Sequence, residues 1–177
     1  MTDSEAMSAK EQGADATQNR WLVIPRTLCF VVNGDDVLLM KRAPTRRVFP
    51  NRYNGVGGHI EHDETPEEGA KREILEETGL IVSDIRLCGI HNIDAGEQTG
   101  ILLFVFIAYS TTRDVVGDER EGTLHWIHQT DIQSLDLVED LPQILPYVLS
   151  MPENSPPYHA HVSYDDHDHI QIRLSQP

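Results

Sequence analysis

The chain has 177 residues, of which 39% are apolar, and its 29 acidic and 14 basic side chains give a formal net charge of −15. One domain of ordinary size with tails is expected at this length. The negative charge argues against nonspecific binding to nucleic acid polymers or anionic membranes, since both require a basic surface. A nucleotide substrate is still compatible with this charge, because bound cations supply positive charge locally.

Residues 1–20 are polar and small and show no periodicity, which predicts a disordered leader before a domain covering residues 21–177. They contain no apolar core of a secretion signal, and no run in the chain reaches the ~18 apolar residues of a membrane span. Cys29 and Cys88 lie in apolar runs without metal-ligand spacing, which favours buried thiols in a reducing compartment. These features predict a cytoplasmic protein.

The first predicted elements form a hairpin. Residues 21–32 are rich in β-branched and aliphatic side chains, and Pro25 marks an edge or a bend in this strand. A turn at 33–36 leads into a second strand at 37–41.

A basic loop at 42–52 follows in an otherwise acidic chain. It is either a solvated turn or a lip that faces phosphate, because a planar guanidinium donates hydrogen bonds in pairs. The phosphate-binding candidates are Lys41, Arg46 and Arg47. A short strand at 53–56 then reaches Gly57 and Gly58, where the backbone can approach a ligand closely.

The sequence predicts a helix over residues 66–78. Thr65 is a good N-cap, Pro66 suits the first helical position, and Glu68 completes a capping box. Gly79 is the expected C-terminal stop.

Further elements follow the helix. Strands are predicted at 81–93, 101–109 (nearly continuous and apolar, hence central) and 124–128. A helical turn is expected at 130–135, and a helix at 141–149 that Pro146 either cuts or restarts. Alternating residues at 158–164 and 169–174 predict a terminal hairpin within a C-terminal extension, 152–177.

The predicted helix carries an acidic face, because Glu73, Glu76 and Glu77 are spaced i, i+3 and i+4. Like charges at this spacing weaken a helix. Either the face is simply solvated, or a hard divalent cation such as Mg²⁺ offsets the repulsion.

The whole stretch fits the pattern G-x5-E-x7-R-E-U-x-E-E-x-G-U, in which U is aliphatic. The matching residues are Gly58, Glu64, Arg72, Glu73, Ile74, Glu76, Glu77, Gly79 and Leu80. This is the Nudix box, and the chain resembles the MutT/Nudix hydrolases. The resemblance implies an α/β/α sandwich with a mixed sheet, and Mg²⁺-dependent (or Mn²⁺-dependent) hydrolysis of a nucleoside diphosphate-linked substrate. Asp63 departs from the glycine that relatives often have at this position.

The resemblance also implies roles for individual residues. Arg72 would orient a box glutamate, Glu64 would support the site or assist a water, and Glu73, with Glu76 second, would be the general base. Glu121, with Glu119 second, would add a carboxylate from outside the box. The implied metal ligands are Glu73, Glu76, Glu77, Glu121 and a backbone carbonyl of Gly57 or Gly58.

The segment Tyr53-Asn54-Gly55 resembles the base-binding string of the 8-oxo-dGTP diphosphatase branch. There Asn54 would read a purine, unless it serves only the turn before Gly55, and Tyr53 would line the pocket. Glu139 and Asp140 lie roughly where that branch places acidic residues that read the base. A (d)NTP such as 8-oxo-dGTP is therefore the expected substrate, cleaved to a nucleoside monophosphate and pyrophosphate.

Other interpretations stay open. The substrate could instead be ADP-ribose, a nucleotide sugar or a dinucleotide polyphosphate, and a noncatalytic nucleotide-binding module is a further alternative. The His-x-His pairs at 159/161 and 167/169 are either metal ligands or an exposed polar face. The expected partner is a small nucleotide, and the chain is expected to be a monomer or a homodimer.

Overall fold

A computed structural model describes residues 13–14 and 17–175 of the chain. Most of the predicted leader, residues 1–12, 15 and 16, therefore lies outside the described residues. The strands are β1 (Leu22–Asn33), β2 (Asp36–Arg42), β3 (Tyr53–Asn54), β4 (Asp84–Ile93), β5 (Thr99–Tyr109), β6 (Gly122–His128), β7 (Tyr158–Tyr164) and β8 (Ile170–Leu174). The helices are α1 (Pro66–Thr78), a 3-10 turn (Ile132–Ser134) and α2 (Leu141–Ser150).

The eight strands form one mixed sheet in the order β3-β2-β1-β5-β4-β7-β8, with β6 paired to β2. The β1–β5 and β4–β7 pairs are parallel. The other pairs are antiparallel, including the predicted hairpins β1–β2 and β7–β8.

The two faces of the sheet bury two separate cores, because side chains alternate along each strand. In β1, Cys29 and Val31 face the core that contains Ile74 of α1. Phe30 and Val32 face the opposite core with α2. The buried α2 residues are Leu141, Ile144, Leu145 and Val148. This arrangement is the predicted α/β/α sandwich.

Helix α1 has the bounds and caps that the sequence predicts. The Thr65 hydroxyl accepts from the Glu68 backbone N–H, and the Glu68 carboxylate accepts from the Thr65 backbone N–H at 2.8 Å. Gly79 ends the helix in the left-handed conformation at φ 74°. A cap of this kind stabilises a helix by about 1 kcal/mol.

Several predicted boundaries were wrong. The strand expected from residue 81 begins at Asp84, and the strand expected at 53–56 pairs with β2 only at Tyr53 and Asn54. Pro146 neither cuts nor restarts α2, which runs through it. Among the described helices, none combines the length and apolarity needed to cross a membrane.

Candidate active site

The candidate site lies where the sheet opens between β1 and β2. Only the first three residues of β2 pair with β1, from Asp36 to Leu38. The segment 56–58 occupies the vacated edge of β1, where the Cys29 N–H donates to the Val56 carbonyl (2.7 Å) and the Thr27 N–H to the Gly58 carbonyl (2.8 Å). The opening brings a loop against the middle of the sheet.

The two glycines of this segment allow close approach to their neighbours. Gly57 has φ 142°, and a Cβ there would overlap the carbonyl of Thr27. A Cβ on Gly58 would overlap the carboxylate of Glu73. The Gly58 carbonyl accepts a hydrogen bond from the Thr27 N–H. The Gly57 carbonyl, in contrast, has no backbone hydrogen-bond donor among residues 17–175.

The three box glutamates of α1 line one wall of a cleft of about 820 Å³. Glu77 accepts a hydrogen bond from the Gly57 N–H at 2.9 Å. Burial raises the pKa of Glu77 to about 7; the Gly57 N–H lowers it, and the charges of Glu73 and Glu121 raise it further. These carboxylates are thus close enough to disfavour one another's ionisation.

Arg72 holds this wall from behind. Its Nε and Nη2 donate to both oxygens of Glu64 (2.6 and 3.0 Å), its Nη1 to Glu73 (2.9 Å) and Glu76 (3.1 Å), and its Nη2 also to the His59 carbonyl (2.9 Å). All five guanidinium donors are used. The hydrogen bond from Arg72 also lowers the pKa of Glu64. Neither Arg72 nor Glu64 lines the cleft, so both are placed to orient other groups.

Glu121, from outside the box, lines the same cleft and pairs with Arg46 at 3.0 Å. Glu119 is exposed and lies outside the lining. The structure therefore brings Glu121, the first-ranked of the two candidates, to the carboxylate wall.

The carboxylates suit a hard divalent cation by their oxygen chemistry and shared wall. Through residues 17–175, however, no three His, Cys, Asp or Glu side chains converge in a ready-made metal cage. The reason is that each carboxylate is engaged elsewhere: Glu73 and Glu76 by Arg72, Glu77 by Gly57, and Glu121 by Arg46.

The predicted base-reading residues line the same cleft. Asn54 lies on β3, and its Oδ1 accepts from the Gly55 N–H at 2.9 Å. Glu139 also lines the cleft while pairing with Arg52 at 3.3 Å. In Asp140, Oδ1 is buried with no hydrogen-bond partner, and burial raises the pKa of the carboxyl. An unpartnered buried acceptor of this kind is suited to a ligand N–H.

Two predicted substrate contacts are placed elsewhere. Lys41 and Tyr53 do not line the cleft. The Lys41 ammonium lies 5.7 Å from the centre of the Tyr53 ring, and that ring packs edge-on against His125. Arg46 and Arg47 do line it.

Several lining residues were missed by the sequence analysis as site candidates. Phe49 has φ 49°, a conformation that bulky residues rarely adopt. Tyr164 comes from the terminal hairpin, and Arg26 and Arg42 come from β1 and β2. Of these residues, only Arg42 could have been identified from the sequence, because it lies next to an arginine-rich loop.

The histidine pairs lie on the terminal hairpin. His159 is exposed and His161 half-buried on β7, and the rings of His167 and His169 stack with centroids 6.1 Å apart. His169 contacts Asp165 at 3.4 Å. None of these histidines belongs to a metal-holding group among the described residues.

Comparison with known proteins agrees with this geometry. A sequence model of the NUDIX domain matches residues 23–148. The chain is 31% identical to a nucleoside triphosphatase NudI of Enterobacter sp. (strain 638), over 69% of this chain and 91% of that protein. It is 30% identical to an oxidized purine nucleoside triphosphate hydrolase of Mus musculus, over 81% of this chain and 88% of that protein.

A crystal structure of a MutT protein from Bacillus halodurans has the same architecture. It superimposes with a TM-score of 0.72 and 27% sequence identity, over 88% of this chain and all of that one. Because the NUDIX match spans most of the chain and includes every residue of the carboxylate wall, the chain belongs to the Nudix family of pyrophosphohydrolases.

Proposed function

We propose that the protein hydrolyses a phosphoanhydride bond of a purine nucleoside triphosphate, such as 8-oxo-dGTP, to a nucleoside monophosphate and pyrophosphate. The observation that carries this proposal is that a single cleft contains both the carboxylates needed for hydrolysis and the residues expected to bind the base. The box carboxylates form one wall, and Asn54, Glu139 and Asp140 line it elsewhere. The names of the two curated relatives, both nucleoside triphosphate hydrolases, support the same substrate class.

Magnesium is the proposed cofactor, with Mn²⁺ able to replace it. Glu73, Glu76, Glu77 and the Gly57 carbonyl would hold the ion, and Glu121 would join them once released from Arg46. When bound, such an ion neutralises phosphate charge and makes a water more acidic. These roles rest on oxygen-rich ligands that share one wall.

The chain's own residues have distinct tasks in this proposal. Glu73, with Glu76 as the alternative, accepts the proton of the water that attacks phosphorus. Arg72 holds Glu73 in place, since its Nη1 donates to that carboxylate. Arg46 releases Glu121 and binds a phosphate oxygen instead. This step breaks the ion pair between Arg46 and Glu121.

The base end recognises N–H donors and excludes water. A carboxylate at Asp140 accepts from adjacent N–H groups of a purine edge, and the Asn54 amide both donates and accepts. Phe49 and Tyr164 supply the aromatic surface against which a base packs.

A nucleotide panel tests the proposal. The protein is incubated with Mg²⁺ or Mn²⁺ and each of 8-oxo-dGTP, dGTP, dATP, dCTP, ADP-ribose, a nucleotide sugar and a dinucleotide polyphosphate, and the products are identified. We expect the highest kcat/KM with a purine triphosphate and release of pyrophosphate. Preference for ADP-ribose or a dinucleotide would replace the substrate assignment, and failure to turn over any compound would support a binding module.

A further inference from the structure

Arg26 is a half-buried cation that makes no ion pair with any of the described residues. Its Nε is buried without a hydrogen-bond partner. In the part of the chain that the structure describes, its guanidinium makes no salt bridge and no side-chain hydrogen bond, unlike Arg46, Arg52, Arg72 and Arg113. A buried N–H left unpaired is energetically unfavourable, so this group calls for a partner that the described residues do not provide.

The surroundings of Arg26 are apolar on the sheet side. Its register partner on β5 is Leu103, and the preceding pair on the same face is Ile24 with Ile101. Leu103 and Ile101 line the cleft beside Arg26. Burial of the Nε among aliphatic side chains removes water from this part of the guanidinium, which strengthens its attraction to an anion in the cleft.

The position along β1 places Arg26 at the glycine segment. Arg26 bridges to His59, one residue beyond Gly58, whereas Cys29 bridges to Val56 near the base-reading Asn54. The separation of three residues corresponds to about 10 Å along the strand. The backbone of Arg26 therefore lies beside Gly58 and His59, and its side chain projects from the same face of β1 as Leu28 and lines the cleft.

Arg26 belongs to a group of arginines that line the cleft. Arg42 and Arg46 line the same cleft. The pKa of Arg42 is lowered by burial first and then by the charges of Arg46 and Arg26, so Arg42 lies within electrostatic range of both. Arg46 is paired with Glu121 and the Arg42 Nε with the Val48 carbonyl, which leaves Arg26 as the unengaged member.

We propose that Arg26 binds the phosphate chain of the substrate, donating its Nε–H and an Nη–H to nonbridging phosphate oxygens. This inference rests on the proposed function, because it takes a nucleotide as the ligand of the cleft. Arg26 would act as a substrate-binding residue that favours nucleotides with more phosphate groups.

The test compares Arg26→Gln and Arg26→Lys with Arg173→Gln, an exposed arginine on β8 outside the cleft that controls for the loss of one charge. We expect Arg26→Gln to raise KM for a purine nucleoside triphosphate at least ~10-fold, with kcat changed less than ~3-fold. The rise should be smaller for the corresponding diphosphate. Arg26→Lys should recover part of the loss, and Arg173→Gln should match the wild type.

Binding without turnover separates this inference from the proposed function. Calorimetry measures the affinity for dGTP, dGDP and dGMP with Ca²⁺ in place of Mg²⁺, and product analysis verifies that no hydrolysis occurs. Weaker dGTP binding by Arg26→Gln supports the inference even if the wild type hydrolyses no nucleotide. Unchanged affinity, an equal loss for all three nucleotides, or no dGTP binding by the wild type would each overturn it.

Discussion

At the scale of single residues, the acidic face of α1 is stabilised by one arginine. Glu73, Glu76 and Glu77 repel one another at helical spacing, and Arg72 offsets this by donating to Glu73 and Glu76 while Gly57 donates to Glu77. A divalent cation bound at this wall would relieve the repulsion that remains.

Glu77→Gln tests the carboxylate wall. We expect kcat to fall at least roughly tenfold at saturating Mg²⁺, because the substitution removes a ligand's charge. The thermal midpoint should not fall, since burial already disfavours the charged form of Glu77. Glu67→Gln is the matched control, because Glu67 lies on the same helix but is exposed and pairs only with Lys71. Turnover like that of the wild type would remove Glu77 from the site.

Asn54→Ala tests the base end of the cleft. Loss of a hydrogen bond to the base should raise KM for a purine triphosphate about tenfold, with a smaller effect on kcat. Steady-state kinetics with purine and pyrimidine triphosphates make the measurement. An unchanged KM across both classes would assign Asn54 to the turn alone, where it already accepts from the Gly55 N–H.

The sequence predicts the box residues because they lie on one helix at fixed spacing, so local geometry determines their common face. Phe49 and Arg26 were missed, and Asp140 was predicted only from the family resemblance; all three reach the cleft for other reasons. Phe49 depends on a positive φ, Asp140 on the path of the chain after β6, and Arg26 on a bridge to a residue 33 positions away. None of these is readable from periodicity.

At the scale of elements, α1 and its preceding turn form one unit. The predicted and observed bounds of α1 agree because its caps are local: Thr65, Glu68 and Gly79 satisfy its terminal groups. The start of β4 was predicted too early because Leu80 and Val82 are buried by packing, without pairing in the ladder. Hydrophobicity reports burial and cannot distinguish it from strand pairing.

The proline in α2 illustrates the same limit. Pro146 cannot donate to the carbonyl of residue 142, which costs the helix one hydrogen bond. The helix continues because Ile144, Leu145 and Val148 are buried against the sheet on either side of the proline. Tertiary packing therefore outweighs the local preference.

Two alanine substitutions distinguish the roles of the adjacent glycines. In Gly58→Ala the new Cβ overlaps the Glu73 carboxylate, which can turn aside, so we expect kcat to fall by roughly tenfold with a nearly unchanged thermal midpoint. In Gly57→Ala the Cβ overlaps the backbone of Thr27 at a positive φ, so the free energy of unfolding should fall by about 1–3 kcal/mol. Thermal unfolding and steady-state kinetics of both variants test these two predictions. Equal losses of stability in the two variants would contradict them.

At the scale of the whole molecule, function depends on how the sheet is assembled. The parallel pairs β1–β5 and β4–β7 join segments distant in sequence, and the opening beside β1 lies on the other edge of that strand, where β2 stops pairing with it after Leu38. The sequence predicts a mixed sheet and its hairpins, whereas the order of the strands follows from nonlocal packing. As a result, the terminal hairpin, which is distant in sequence from the box, extends the sheet and contributes Val162, Tyr164 and Ile170 to the cleft.

A buried histidine should make global stability depend on pH. His91 on β4 is fully buried; its Nε2 lies 2.8 Å from the Tyr158 hydroxyl, and its Nδ1 has no partner. Burial lowers its pKa to about 4, from an ordinary value of 6.5. Below pH 6.5 the unfolded chain therefore binds a proton that the folded chain does not, and stability is lost as the pH falls from 6.5 toward 4.

Urea unfolding of the wild type and His91→Gln at pH 7 and pH 5 measures this contribution. The wild type should lose about 2 kcal/mol more than the variant between the two pH values, since the other titrating groups, among them Glu77 and Asp140, are common to both proteins. At pH 7 His91→Gln should be the less stable of the two, because it leaves the packing around Tyr158 and Tyr147 imperfect. The stability curves should therefore converge as the solution becomes more acidic. Parallel curves would mean that His91 is protonated in the folded chain, and that its ring has access to water or to an anion.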